Sequence, residues 1–104
     1  MAIETTSVSN SATTVYTSSG NSAITFASFA NYSGSTATIS IHVVPSGDSA
    51  DNTNIVIKDL SVNAADTHQL YASGEKLLLE NGDTLQATAS ATSAFTAVVS
   101  YTSI

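Results

Sequence analysis

The chain contains no cysteine, no tryptophan, a single proline and only two basic residues, set against eight acids. Each shortage excludes something. Without cysteine there is no disulfide framework, no Cys-ligated zinc and no thiol chemistry. Two lysines, Lys58 and Lys76, cannot coat a phosphate backbone, so nucleic acid is not an expected partner. No apolar run approaches the ~20 residues of a membrane span, so no membrane partner is expected either. The opening Met1-Ala2-Ile3-Glu4 has neither a basic nor an apolar signal region, and a secretory signal is not expected.

Charged residues make up 10% of the chain, where about 25% is ordinary. Hydroxyl side chains fill the gap: 18 Ser and 15 Thr stand among 104 residues. The hydrophobic share is a normal 42%, so the composition is not that of a disordered chain, which pairs low hydrophobicity with high charge. The length suits one small domain with a modest core. A net charge of −6 favours solubility and repels nucleic acid.

The hydrophobic pattern repeats every two residues. In Thr36–Val43, Ala37, Ile39, Ile41 and Val43 share one face, and Thr36, Thr38, Ser40 and His42 the other. Successive strand side chains point to opposite sides, so this predicts a half-buried strand. Phe95, Ala97, Val99 and Tyr101 alternate in the same way with Thr96, Val98, Ser100 and Thr102. Further strands are predicted at Ser22–Phe29, with Ile24 and Phe26 inward, at Ile55–Val62 and at Thr84–Ala89. Shorter ones are predicted at Thr13–Thr17, Thr67–Tyr71 and Lys76–Leu79. Turn residues separate them, among them Ser18–Asn21, Asn31–Gly34, Pro45–Asp48, Asn63–Asp66 and Asn81-Gly82-Asp83.

Strands and turns at roughly ten-residue spacing predict an all-β fold. We expect a single small antiparallel β-sandwich, Ig-like or jelly-roll-like, of about seven to eight strands. Residues 1–12 are weakly patterned and are expected to form an extended N-terminal arm, removable without loss of the fold. Residues 13–104 form the sandwich domain.

Few groups can carry chemistry. Asp48, Asp51 and Asn54 share one polar loop, whose oxygens are the only candidates for holding Ca2+. The loop lacks the alternating acids and distant Glu of an EF-hand, so no metal or other cofactor is expected. His42 lies on the polar face of its strand and His68 at a strand start, neither in a metal-ligand spacing, and both read as surface or interface residues. No serine sits in a nucleophile elbow. Asn31-Tyr32-Ser33 matches a glycosylation sequon by chance. No catalytic residue is predicted, and the chain is expected not to be an enzyme.

The most informative segment is Glu75–Ala87, where a leucine run enters a tight corner: Gly82 supplies positive φ and Asp83 caps the turn. With Gly20–Ile24, with Ile41-His42-Val43-Val44-Pro45-Ser46-Gly47, with a loop ending at Asn54 and with the closing Val98-Val99-Ser100-Tyr101, this corner makes residues 21–104 resemble a family of small tailed-bacteriophage virion proteins. The resemblance implies a β-sandwich repeated many times in a virion, and no catalytic residues.

On that basis the chain is expected to be a structural protein of the virion, made in the host bacterial cytoplasm. A head decoration or cement protein ranks first, and a tail, baseplate or fibre-attachment component second. Its partners would be other copies of itself, as a trimer, and a major capsid or tail protein. Low charge lets large surfaces meet without burying unpaired ions, and free strand edges suit strand addition between neighbours. Ile3 and Val8 of the arm, the 48–54 loop, and Val98, Ser100 and Thr102 of the last strand are the candidate contacts. The alternative is a carbohydrate-binding module using Tyr16, Tyr32 or Tyr71.

Overall fold

In a computed structural model, which describes residues 2–70 and 77–104, the period-two segments become nine strands. They are β1 (Ala2–Val8), β2 (Thr13–Thr17), β3 (Ser22–Asn31), β4 (Ala37–Val44), β5 (Ile55–Val62), β6 (Thr67–Leu70), β7 (Leu77–Leu79), β8 (Thr84–Ala89) and β9 (Phe95–Ser103). Pairing is nested from the chain ends inward. β1 pairs with β9, β2 with β8, β3 with both β6 and β7, and β4 with β5, always antiparallel. This is the pattern of one long hairpin rolled over itself. β9 also joins β3, and β8 joins β4, which stitches the roll into two sheets.

The first sheet has the order β1-β9-β3-β6, with β7 also on β3, and the second β2-β8-β4-β5. That is the jelly-roll order of two Greek keys, with β6 and β7 together in the place of one strand. The immunoglobulin order is different. The inner faces bury Ile24, Phe29, Ile39, Ile41, Leu85, Phe95 and Val99 completely. Burying each such side chain contributes roughly 1.5–3 kcal/mol before the entropy cost of ordering it.

The structure corrects several expectations. The first residues are not a detachable arm. Ala2 to Val8 pair in unbroken register with Tyr101 back to Phe95, because β9 would otherwise leave a full row of backbone groups unpaired. Val8 faces inward opposite Phe95 and is fully buried, so it is a core residue and not a contact candidate. Removing this segment would unpair β9 along that edge and take Val8 out of the core.

Phe26 is not inward either. Thr25 is an extra residue between Ile24, opposite Tyr101, and Phe26, opposite Ser100. Such a bulge reverses the alternation, so Ile24 and Phe29 fill the core and Phe26 turns to the outer face. Leu77–Leu79 forms a strand within the predicted Lys76–Leu79 segment. Tyr71, Glu75 and Lys76 lie outside the described residues.

The predicted corner is present and ties three loops together. Gly82 has φ +89°, and its amide donates to the Ser18 carbonyl at 2.9 Å. The Asp83 carboxylate accepts from the amides of Ser46 and Glu80, each at 2.9 Å. Asn81 Oδ1 accepts from the Gly20 amide at 2.8 Å. One turn thereby satisfies backbone donors from the β2–β3, β4–β5 and β7–β8 connections.

Candidate interaction face

The outer face of the first sheet can be read row by row from strand register. Leu78, Ala23 and Thr102 form one row. Phe26, Ser100 and Ile3 form the next. Then come Gln69, Ser28, Val98 and Thr5, and last Thr67, Ala30, Thr96 and Ser7. Their inward neighbours on β9, namely Phe95, Ala97 and Val99, are buried, which fixes the direction in which these rows point.

No residue in these rows is charged. The ionised groups among the described residues lie elsewhere. Asp48 and Asp51 sit between β4 and β5, Lys58 and Asp59 on β5, Asp66 before β6, and Glu80 and Asp83 at the corner before β8. Glu4 lies on β1 but opposite Val99, in the inward phase. A chain of net charge −6 thus presents one neutral sheet face of hydroxyl and apolar side chains.

Apolar side chains concentrate at the end of that face where β9 finishes. Leu78 is 65% exposed and Ile3 67% exposed. Ala23, itself buried, and the half-buried Phe26 lie between them in the two adjoining rows. Ile104, equally exposed, follows β9, its amide donating to the Asn21 carbonyl at 3.1 Å. Val98 completes the group one row further in. Of the residues singled out from the sequence, Ile3, Val98, Ser100 and Thr102 come together here, while Val8 does not. Phe26 and Leu78 were not legible as members of this face, because one depends on the Thr25 bulge and the other on which way a three-residue strand faces.

The 48–54 loop is organised by its own hydrogen bonds. Asp51 Oδ1 accepts from the amide of Thr53 at 2.8 Å and from the Thr53 hydroxyl. Asn54 Oδ1 accepts from the Asp51 amide at 3.1 Å, and its Nδ2 donates to the Ser49 carbonyl at 3.0 Å. The Thr53 side-chain and backbone bonds hold the Asp51 carboxyl below the ordinary aspartate range, and nearby His42 adds to the effect. Asp48, Asp51 and Asn54 thus close a turn. Among the described residues no three His, Cys, Asp or Glu side chains converge as a metal would require.

His42 is not a surface residue. Although it follows the outward phase of β4, it is only 8% exposed, and its Nδ1 has no hydrogen-bond partner among the described residues. The loop that follows β4 returns to bond Val43 through the Asn54 carbonyl at 3.0 Å. Neighbouring Val44, also in the outward phase, is buried too. Of the aromatic candidates, Tyr16 is buried against Tyr101 with ring centroids 4.4 Å apart. Tyr32 is exposed.

A comparison with known protein families, curated proteins and solved structures finds no match for this chain.

Proposed function

We propose that this protein is a non-enzymatic structural component of a tailed-bacteriophage virion, a decoration or cement protein that stabilises the head through many repeated surface contacts. The observation that carries this reading is the neutral outer face of the first sheet. Docking there desolvates hydroxyls and apolar groups, and buries no unpaired ion. The family resemblance over residues 21–104 supplies the particle.

The face has a suitable size. A sheet four strands wide, at ~4.8 Å per strand and ~3.3 Å per residue along nine residues, covers at most roughly 570 Å² in projection. Side-chain relief raises the accessible area toward the ~800 Å² per partner of a standard interface. Contacts that are individually weak become strong when many copies bind one lattice, because effective concentration replaces single-site affinity.

The test is to add purified protein to virus particles lacking it and to image them by cryo-electron microscopy. The proposal expects saturable, regularly spaced density on the head, and greater resistance of the particle to heat or osmotic shock. Density confined to the tail would make it a tail, baseplate or fibre-attachment component. Absence of binding to any particle would overturn the virion reading and favour glycan binding instead.

A further inference from the structure

Among the described residues the two sheets end in five edge strands, and four of these are defended against further pairing. β2 carries a bulge between Thr14 and Tyr16. β5 carries two register breaks, with Lys58 and Asp59 on the strand and Asp59 at φ 50°. β6 and β7 have only four and three residues. Bulges, charges and short length are the devices by which sheets avoid edge-to-edge association.

β1 has one of them, the single charge of Glu4 in the inward phase. It is seven residues long and its register with β9 is unbroken. Among the described residues its far edge pairs with no strand. We infer that this edge pairs antiparallel with β1 of a second copy, joining the two first sheets into one continuous sheet. The inference names the contact between copies within the virion reading and rests on that reading for its purpose.

The sequence of β1 is compatible with itself in this arrangement. Full overlap of the seven residues puts the two-fold axis at Thr5, the middle of the strand. Thr5 then meets Thr5 of the second copy, Ile3 meets Ser7, and Glu4 meets Thr6. Cross-strand Thr–Thr pairs are favourable, whereas like charges directly opposite are not. In this register the two Glu4 side chains are two positions apart along the strand, and each carboxylate faces a hydroxyl. A three-fold arrangement would need two different surfaces on each copy, while a long regular edge is one surface that meets itself. Joining along β1 also sets two neutral faces side by side, doubling the docking surface in one plane.

The chain has no cysteine, so Thr5→Cys introduces a single thiol at the proposed axis. Directly opposed strand residues have Cβ atoms ~4.5–5.5 Å apart, close to disulfide geometry. Thr5 is exposed, so both Thr5→Cys and Thr5→Lys should fold, which thermal melting checks. Sedimentation of the full chain up to about 1 mM should show a reversible dimer. Thr5→Lys should raise its dissociation constant at least about tenfold. Thr5→Cys should oxidise to a disulfide dimer much faster than Gln69→Cys, placed on the opposite side of the same sheet.

Wild-type protein that stays monomeric, forms a trimer, or dimerises without response to Thr5→Lys would overturn the inference. So would equal crosslinking at positions 5 and 69. All these measurements use purified protein without particles. A dimer that binds no virion would sink the virion reading and leave the edge contact standing. A monomer that decorates particles would do the reverse.

Discussion

The Asn31 side chain of β3 holds the end of β5 in the opposite sheet, its Nδ2 donating to the Val62 carbonyl at 2.9 Å. The same group donates to the Ser35 carbonyl at 2.9 Å. Its Oδ1 accepts from the Ser33 amide at 3.0 Å and the Ser33 hydroxyl at 2.7 Å. The residue is 1% exposed, yet every polar atom of its carboxamide is used. This explains why the Asn31-Tyr32-Ser33 sequon offers no free amide for a glycan.

Asn31→Ala would leave the buried Val62 carbonyl without its side-chain donor and remove the part-buried bonds to Ser33 and Ser35. Each unsatisfied buried group costs about 1–3 kcal/mol, so a total loss of about 2–4 kcal/mol is expected. Urea unfolding measures it as a lower midpoint at unchanged slope. A loss below about 0.5 kcal/mol would mean that the clamp does not contribute.

β1 is part of the sandwich, and Val8 and Ser7 should show it. Val8→Ala removes buried methyl groups opposite Phe95 and should cost about 1–3 kcal/mol. Ser7→Ala, at an exposed neighbouring position, should change stability by less than about 0.5 kcal/mol. Equal, small effects at both positions would return the segment to the status of an arm.

Gly82 and Ser46 supply a third. A Cβ built on Gly82 would lie 2.5 Å from Ser46 Oγ and 3.0 Å from Ser46 Cβ. Gly82→Ala therefore adds a clash to the roughly 1–2 kcal/mol cost of positive φ in a residue with a side chain. In a double-mutant cycle, Ser46→Gly should recover the clash but not the backbone cost. Complete recovery, or none, would refute this division of the penalty.

A fourth concerns acid. Thr53 stabilises the ionised form of Asp51, so the folded pKa lies below the unfolded one. The stabilisation is fully present above the unfolded aspartate pKa of about 3.9 and is lost as pH falls through the lower folded value. Thr53→Val should raise the Asp51 pKa in an NMR titration. An unchanged titration would show that the hydroxyl is not the cause.

Much of the architecture is legible in the residues, for reasons that also mark where reading fails. Ile39, Ile41, Phe95 and Val99 alternate with hydroxyls, so period two names both the strand and its buried side. Asn81-Gly82-Asp83 carries its turn in its own chemistry. β1 is different. In Ala2–Val8 apolar residues fall on both phases, and only the open flank of β9, distant in sequence, makes it a strand. The outward turn of Phe26 depends on one extra residue in β3, which leaves no mark in the pattern. His42 is buried beside a returning loop, a tertiary fact. The nested strand pairing likewise joins residues nearly a chain length apart. The candidate face was half legible: Val98, Ser100 and Thr102 lie on one alternating strand, whereas Ile3, Phe26 and Leu78 join them only through register.

If the neutral face meets the particle, charging it should keep the protein off. Leu78→Lys combined with Val98→Lys places two charges on that face. Lys58→Glu, on the opposite sheet, provides a control for altered charge. Both variants should keep the native melting transition to within a few degrees. We predict that the double variant fails to occupy particles lacking the protein, while Lys58→Glu occupies them fully. Full occupancy by the double variant would contradict the account.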